Sequence, residues 1–176
     1  MADDSNRRDV LKLVTCGVGA GLGLAIAGPV VRLVLAPAGT QTVTTPSAPL
    51  DLGAVDRVKV GAPWRRFDVI APVVADAWTS ARDVVLGSAF VKRTSESKVV
   101  ALSAICPHLG CAVGYERETD TFLCPCHNSK WDGQGELAGD AKAKRSLDPL
   151  PIEIKDGRLA LTWKLYKLDT AEREPA

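Results

Sequence analysis

Residues 106–111 read CPHLGC and residues 124–129 read CPCHNS, and these two boxes decide how the rest of the chain is interpreted. The first box and the second box, as we call them, contain four of the five cysteines and both histidines of the 176-residue chain. Thiolate sulfur and imidazole nitrogen are the ligands of zinc sites and of iron–sulfur sites. Placing every histidine beside these cysteines predicts a metal centre built from two loops.

The donor set leaves several kinds of site open. A tetrahedral zinc ion would use four donors and leave two cysteines over. An iron–sulfur cluster held by four cysteines would leave both histidines without a role. A third division gives two cysteines to one iron and two histidines to another, with the remaining cysteines paired as a disulfide. A redox-active cysteine pair without metal is a further alternative.

The pattern C-x-H-x-G-C followed by C-x-C-H-x-S resembles the Rieske iron–sulfur protein family. It is most similar to the branch found in quinol–cytochrome c reductases of the cytochrome bc type. The resemblance implies one [2Fe–2S] cluster, with Cys106 and Cys124 as ligands of the buried iron. His108 and His127 would be the ligands of the outer iron and the redox-active, proton-exchanging groups.

The same resemblance assigns roles to the residues around the ligands. Cys111 and Cys126 would form a disulfide that joins the two loops, which dioxygenase-type Rieske domains usually lack. Ser129 would hydrogen-bond the cluster, and Leu109 would belong to the apolar docking tip. Trp131 stands where bc-type members usually have tyrosine. We therefore expect a lower midpoint potential than in tyrosine-bearing relatives, suited to a low-potential quinol such as menaquinol.

Two further positions depart from the family pattern. Asn128 replaces the glycine that usually follows the second-box histidine. Residues 139–142 read GDAK, whereas family members often have a Gly-Pro-Ala-Pro loop that covers the cluster. The covering loop is therefore expected to differ. Residues 112–123, polar in the middle and apolar at both ends, suit a hairpin that connects the two boxes.

The N-terminal part of the chain is nearly uncharged. Between residues 13 and 49 the single charged side chain is Arg32. As a helix, residues 13–31 would rise about 28 Å, close to the roughly 30 Å hydrocarbon core of a bilayer. We expect a transmembrane helix over residues 13–35, because the apolar region of a cleaved signal peptide is shorter.

The segments on either side of this helix have their own signatures. The Arg7–Arg8 pair in residues 1–12 resembles a twin-arginine export signal, and the alternative is an ordinary positive-inside flank. Both interpretations place residues 1–12 in the cytoplasm and the rest of the chain outside. Residues 36–49 contain three prolines and no charge, which predicts a flexible hinge.

Residues 50–176 are expected to form an all-β domain, because short runs rich in valine and isoleucine alternate with glycine, proline and aspartate. By resemblance this is a Rieske-type antiparallel β sandwich, with the cluster-binding subdomain around residues 104–150. A short helix is indicated at 75–82, a hairpin at Asp156–Gly157, and core positions at three tryptophans, Trp64, Trp78 and Trp163. Strands are predicted at 58–60, 67–70, 84–86, 90–92, 99–103, 122–123, 152–155 and 159–163.

Charge excludes one class of function. Residues 50–176 carry 18 basic and 18 acidic side chains, so the head has no excess of one sign. A protein that binds nucleic acid or anionic lipid through its general charge needs a basic excess. No nucleic-acid partner is therefore expected.

The resemblance implies an electron-transfer subunit of a membrane quinol–cytochrome c oxidoreductase in a respiratory chain. The chain would be the redox subunit of an enzyme complex, with quinol, cytochrome b, a c-type cytochrome and the lipid bilayer as partners, within a dimeric complex. It would cross the cytoplasmic membrane once, with its head on the periplasmic side. The alternatives are a subunit of another exported oxidoreductase, such as arsenite oxidase, and a zinc-stabilised binding module.

Overall fold

The computed structural model describes residues 3–36, 46, 48–76, 78–139 and 141–176. An N-terminal helix, α1, spans Asp3–Leu35 and contains Pro29. Its segment Asn6–Leu35 is long and apolar enough to cross a membrane, and at 1.5 Å per residue it measures about 45 Å. The helix begins well before residue 13, so the described part of residues 1–12 continues it. Most of the predicted hinge, residues 37–45 and 47, lies outside the described residues.

Within the described residues, the remainder of the chain is built from eleven strands and one short 3₁₀ helix, Val55–Arg57. The strands are β1 (Leu50–Ala54), β2 (Arg65–Ala75), β3 (Ser80–Arg93), β4 (Val99–Ser103), β5 (Gly114–Glu116), β6 (Thr121–Leu123), β7 (Lys130–Trp131), β8 (Leu137–Ala138), β9 (Pro149–Leu150), β10 (Ile152–Lys155) and β11 (Arg158–Leu161). They form three sheets, ordered β1-β11-β10, β2-β3-β4-β9 and β5-β6-β7-β8. The predicted all-β class is confirmed.

Two apolar cores hold these sheets together. The first contains buried side chains of β1, β2, β3 and β11, such as Val69, Val91 and Leu159. The second contains Phe122 and Trp131 from the third sheet, both fully buried. Burying a large apolar side chain contributes roughly 1.5–3 kcal/mol, so each sheet is held mainly by the face it buries. The first and second boxes both follow strands whose side chains lie in the second core, so that core positions the candidate metal centre.

Several local predictions are confirmed and others are wrong. The Asp156–Gly157 turn joins β10 to β11, and both turn residues have positive φ, 51° and 72°, as a two-residue hairpin requires. The helix indicated at 75–82 is wrong. There, β2 ends at residue 75 and β3 begins at residue 80, and the Asp76 carboxylate accepts hydrogen bonds from the backbone N–H groups of Trp78 and Thr79. A side chain that binds its own backbone in this way favours a turn over a helix.

Three further differences concern β-strand extents and burial. Residues 84–86 and 90–92 belong to one long strand, β3. The strand predicted at 58–60 reduces to a single bridge between Val60 and Arg93. Trp64 and Trp163 are buried as predicted, whereas Trp78, at the turn after β2, is 64% exposed.

Candidate metal centre

The first box folds into a compact loop that follows β4. The Cys106 N–H donates to the Cys111 carbonyl at 2.8 Å, and the Gly110 N–H donates to the Cys106 carbonyl at 2.9 Å. A bridge between Ile105 and Ala112 closes the loop at its base. These bonds satisfy backbone groups that burial would otherwise leave unpaired, and they fix the positions of the side chains between them.

The second box repeats this frame. The Cys124 N–H donates to the Ser129 carbonyl and the Asn128 N–H donates to the Cys124 carbonyl, both at 2.9 Å. The fifth residue of each loop is left-handed, with φ of 78° at Gly110 and 56° at Asn128. Glycine adopts this conformation without strain, and asparagine tolerates it better than most residues. Asn128 can therefore replace the usual glycine without a change of loop.

The two loops bring two cysteines and two histidines together. Cys106 and Cys124 are almost fully buried, and the Cys124 thiol is near enough to help raise the pKa of Cys106. The imidazole rings of His108 and His127 are 4.8 Å apart, centroid to centroid, and nearly perpendicular. The four donors thus divide into a buried sulfur pair and a more exposed nitrogen pair.

The electrostatics of this site favour a bound cation. Burial raises the pKa of the Cys106 thiol, against the opposing effect of the His108 and Leu109 backbone N–H groups. A buried thiolate therefore needs a positive partner, which a metal ion supplies. Nδ1 of His108 is buried and has no hydrogen-bond partner among the described residues. An orphaned buried nitrogen is costly unless a ligand fills its place, so the donor set fits a cluster with cysteine and histidine ligands.

A disulfide connects the loops beside these donors. Cys111 and Cys126 are bonded, and their Cα atoms are 6.6 Å apart. The sulfur of Cys124 lies within 4.8 Å of both disulfide sulfurs. The six donors of the two boxes therefore separate into a covalent brace and four side chains left for a metal centre.

The comparisons with known proteins agree with this arrangement. The profile of the Rieske [2Fe-2S] domain family matches residues 74–154. The menaquinol:cytochrome c reductase iron-sulfur subunit of Geobacillus thermodenitrificans is 30% identical over 168 residues, covering 92% of this chain and 95% of that protein. The subunit of the same name from Bacillus subtilis is 32% identical, covering 90% and 92%. A cytochrome b6-f complex iron-sulfur subunit from Chlorobaculum tepidum is 27% identical, covering 90% and 76%.

The chain belongs to the Rieske iron–sulfur protein family. Its relatives match it along nearly their whole length, so the similarity includes the region of the N-terminal helix as well as the β head. The cofactor of the family domain is one [2Fe–2S] cluster, as the two boxes predict. An apolar N-terminal helix in this chain, together with these relatives, supports membrane anchoring.

Three Rieske-site side chains beyond the four donors have defined environments. Ser129 is fully buried, and its hydroxyl oxygen accepts the Ala143 N–H at 3.0 Å, which leaves its own proton to donate elsewhere. The Trp131 indole donates its single N–H to the Arg145 carbonyl at 3.2 Å. Its single proton is therefore bonded to the backbone and is not available to a cluster sulfur. Leu109 is 58% exposed, as an apolar tip requires.

Two elements of the Rieske site were missed by the sequence analysis. The loop at 141–148 reaches the second box through Ala143, and it contains a buried ion pair between Arg145 and Asp148 at 2.8 Å. The C-terminal tail contacts the first box, because the Asp169 N–H donates to the Pro107 carbonyl at 2.8 Å. The i, i+3 spacing of Arg145 and Asp148 is visible in the sequence and could have predicted the ion pair. No sequence motif predicts the contact of the C-terminal tail with the first box.

Proposed function

We propose that this chain is the electron-transfer iron–sulfur subunit of a membrane quinol–cytochrome c oxidoreductase. The observation that carries the proposal is the convergence of two cysteines and two histidines beside a disulfide between their loops. The relatives named as menaquinol:cytochrome c reductase subunits support it, since each aligns over more than nine-tenths of its length. A subunit of this kind accepts one electron from quinol and passes it to a c-type cytochrome.

Cys106 and Cys124 are the proposed ligands on the buried side, and His108 and His127 those on the exposed side. When bound, the cluster supplies a one-electron couple whose potential is raised by neutral histidine ligands in place of thiolates. Imidazole has two ring nitrogens, so a ligand histidine keeps one that can take or release a proton. His127 is exposed at the loop surface and is the group we assign to contact quinol.

The neighbours of these histidines suit the same role. Leu109, exposed beside His108, offers an apolar contact for a hydrophobic partner and is the proposed docking residue. We assign Ser129, whose hydroxyl accepts the Ala143 N–H and keeps its own proton, to donate a hydrogen bond to the cluster and raise its potential, whereas Trp131 makes its hydrogen bond to the backbone. The loss of one donor relative to tyrosine-bearing proteins supports a low-potential quinol such as menaquinol.

The membrane topology that we propose rests on the arginines near the start of α1 and on the disulfide in the head. Arg7 and Arg8 lie near the start of α1, ahead of the uncharged residues 13–31, which supports a cytoplasmic N-terminus and export by the twin-arginine route. The disulfide supports a head on the periplasmic side, since such bonds persist outside the reducing cytosol. Residues 36–49 are the proposed hinge, about which the head would move between cytochrome b and the c-type cytochrome of a dimeric complex.

The test is to purify the native complex from membranes, identify its partners and titrate the chain by electron paramagnetic resonance. We expect a rhombic signal of average g below 2 in the reduced state, with cytochrome b and c-type haem in the same complex. A protein without that signal would contradict the cluster assignment. A cluster-bearing chain that purifies with a molybdopterin protein, as in arsenite oxidase, would contradict the proposed complex but not the cluster.

A further inference from the structure

We infer that residues 165–170 of the C-terminal tail, which we call the strap, hold the first box in place and position His108. The inference rests on the proposed role of His108 as a ligand. In this arrangement the strap is a positioning element, since none of its side chains belongs to the four donors. It connects the first box to the loop at 141–148, which in turn contacts the second box.

The first point of attachment is on the box itself. The Asp169 N–H donates to the Pro107 carbonyl at 2.8 Å, and Pro107 lies directly between Cys106 and His108. Leu168 lies over the same loop, because a Cβ atom added to Gly110 would come within 3.3 Å of its Cδ1. A displacement of the strap therefore removes both a hydrogen bond and an apolar cover from the loop that bears His108.

The second point of attachment is on the loop at 141–148. Lys144 Nζ donates to the Asp169 carbonyl at 3.0 Å and lies 3.1 Å from its carboxylate. Arg145 donates from one guanidinium nitrogen to both the carbonyl and the hydroxyl of Thr170, each at 2.8 Å. The same guanidinium is paired with buried Asp148, so Arg145 cannot follow the strap without breaking a buried ion pair.

The chain end folds back to hold the strap in shape. The Lys167 N–H donates to the Glu174 carbonyl at 2.8 Å, and the Ala176 N–H donates to the Leu165 carbonyl at 3.1 Å. Asp169 itself is left-handed, with φ of 55°. The residues beyond the strap thus form a turn of their own, which presents the Asp169 N–H toward Pro107 already ordered.

The decisive experiment compares Asp169→Pro with Asp169→Gly in the full-length chain. Proline lacks the N–H and cannot adopt a φ of 55°, so it removes the bond to Pro107. Glycine keeps the N–H and the left-handed conformation, and loses the exposed carboxylate with its ion pair to Lys144. Amide hydrogen exchange of residues 106–111 is measured with the midpoint potential and the paramagnetic spectrum of the cluster.

We expect Asp169→Pro to raise exchange in the first box roughly fivefold or more, as the loss of one hydrogen bond implies, and to shift the spectrum and the potential. Asp169→Gly, which loses the exposed ion pair to Lys144 and no backbone bond, should raise exchange by less than about twofold and leave the spectrum and the potential unaltered. Exchange in β10 and β11 separates a local opening from a general loss of stability, because a general loss would raise exchange there as well. Thermal unfolding of both variants measures that general loss.

A milder pair of changes keeps the inference testable if the proline variant does not fold. Leu168→Ala with Lys144→Met leaves every bond between backbone groups in place, removes the Lys144 bond to the Asp169 carbonyl, and should raise exchange in the first box about twofold. Exchange and potential equal to those of the unaltered protein in Asp169→Pro, or in this double variant where the proline variant does not fold, would overturn the strap's role while leaving the proposed function standing. Absence of the cluster signal from the unaltered protein would instead contradict the proposed function.

Discussion

The two boxes share one backbone frame but differ in what covers them. In the first box Pro107 is buried and Gly110 lies beneath Leu168 of the C-terminal tail. In the second box Pro125, His127 and Asn128 are exposed, and the buried Ser129 hydroxyl accepts the Ala143 N–H of the 141–148 loop. The hydrogen bonds inside each loop are set by local sequence, whereas exposure is set by distant segments. The base of the first loop, at Pro107, is therefore more enclosed than the second loop, although Leu109 and Gly110 at its tip are exposed.

The largest effect is expected from the histidines, one in each loop. His108→Ala and His127→Ala should each abolish the reduced paramagnetic signal, because a site missing a ligand cannot complete the cluster's coordination. Iron content per chain checks the result, with Cys16→Ser as a control in the same protein, since Cys16 lies exposed in α1. A full signal from either histidine variant would show that this histidine is not a ligand and that the two loops do not contribute equally to the cluster.

The next effect concerns the bond that joins the loops. Replacing Cys111 and Cys126 together by alanine should destabilise the head by about 3 kcal/mol, the value for a closed loop of the 15-residue separation seen here. Chemical denaturation measures the loss. Because the strap is bonded to the first box at Pro107, the amides of the second box should gain more exchange than those of the first. Equal gains in both boxes would show that the strap adds little to the first box.

Substitutions at the two left-handed residues, Gly110 and Asn128, test the backbone conformation that the two boxes share. Gly110→Ala should cost about 2 kcal/mol, since alanine pays 1–2 kcal/mol in this conformation and its Cβ would press on Leu168. Asn128→Ala should cost about 1 kcal/mol, because the left-handed conformation is its main penalty at an exposed position. Asn128→Gly is the matched control and should be neutral. An alanine at residue 128 that costs more than one at residue 110 would contradict the difference in cover.

Much of this centre could be predicted from the sequence, because its chemistry is carried by residues close together in the chain. The resemblance of the two boxes to the Rieske pattern implies the donors, and the Asp156–Gly157 pair predicts its hairpin, since both are carried by short stretches of sequence. The contact between Asp169 and Pro107 could not be predicted in this way. It joins backbone atoms 62 residues apart, and a backbone hydrogen bond leaves no mark in residue type.

For the side chains that differ from the family pattern, too, the residue type could be read from the sequence but its contacts could not. That Trp131 replaces a tyrosine is visible in the sequence, but its bond to the Arg145 carbonyl depends on how the 141–148 loop packs. Trp78 was placed in the core by its residue type alone, and the structure exposes it at a turn. Burial of a single aromatic residue in a loop depends on tertiary neighbours that periodicity does not report.

A smaller effect is expected in the redox potential of the second loop. Ser129→Ala removes a donor from the cluster side and should lower the midpoint potential by about 40 mV, the one-electron equivalent of a hydrogen bond of about 1 kcal/mol. Trp131→Tyr should raise it by a similar amount if the phenol hydroxyl reaches the cluster. Redox titration checks both. A Trp131→Tyr variant with an unchanged potential would locate the difference from tyrosine-bearing relatives outside this residue.

The smallest effect lies in the hairpin between the boxes. Burial, together with a hydrogen bond of 2.6 Å to the Asp120 carboxylate, raises the pKa of Tyr115 from 10.0 to about 12. A raised pKa stabilises the fold fully below pH 10, and this stability is lost as the pH rises through 12. Because Asp120 is exposed, the loss should be about 0.5 kcal/mol at pH 11. Denaturation at pH 9 and 11 should show this decline in the unaltered protein relative to Tyr115→Phe, and parallel stabilities would refute it.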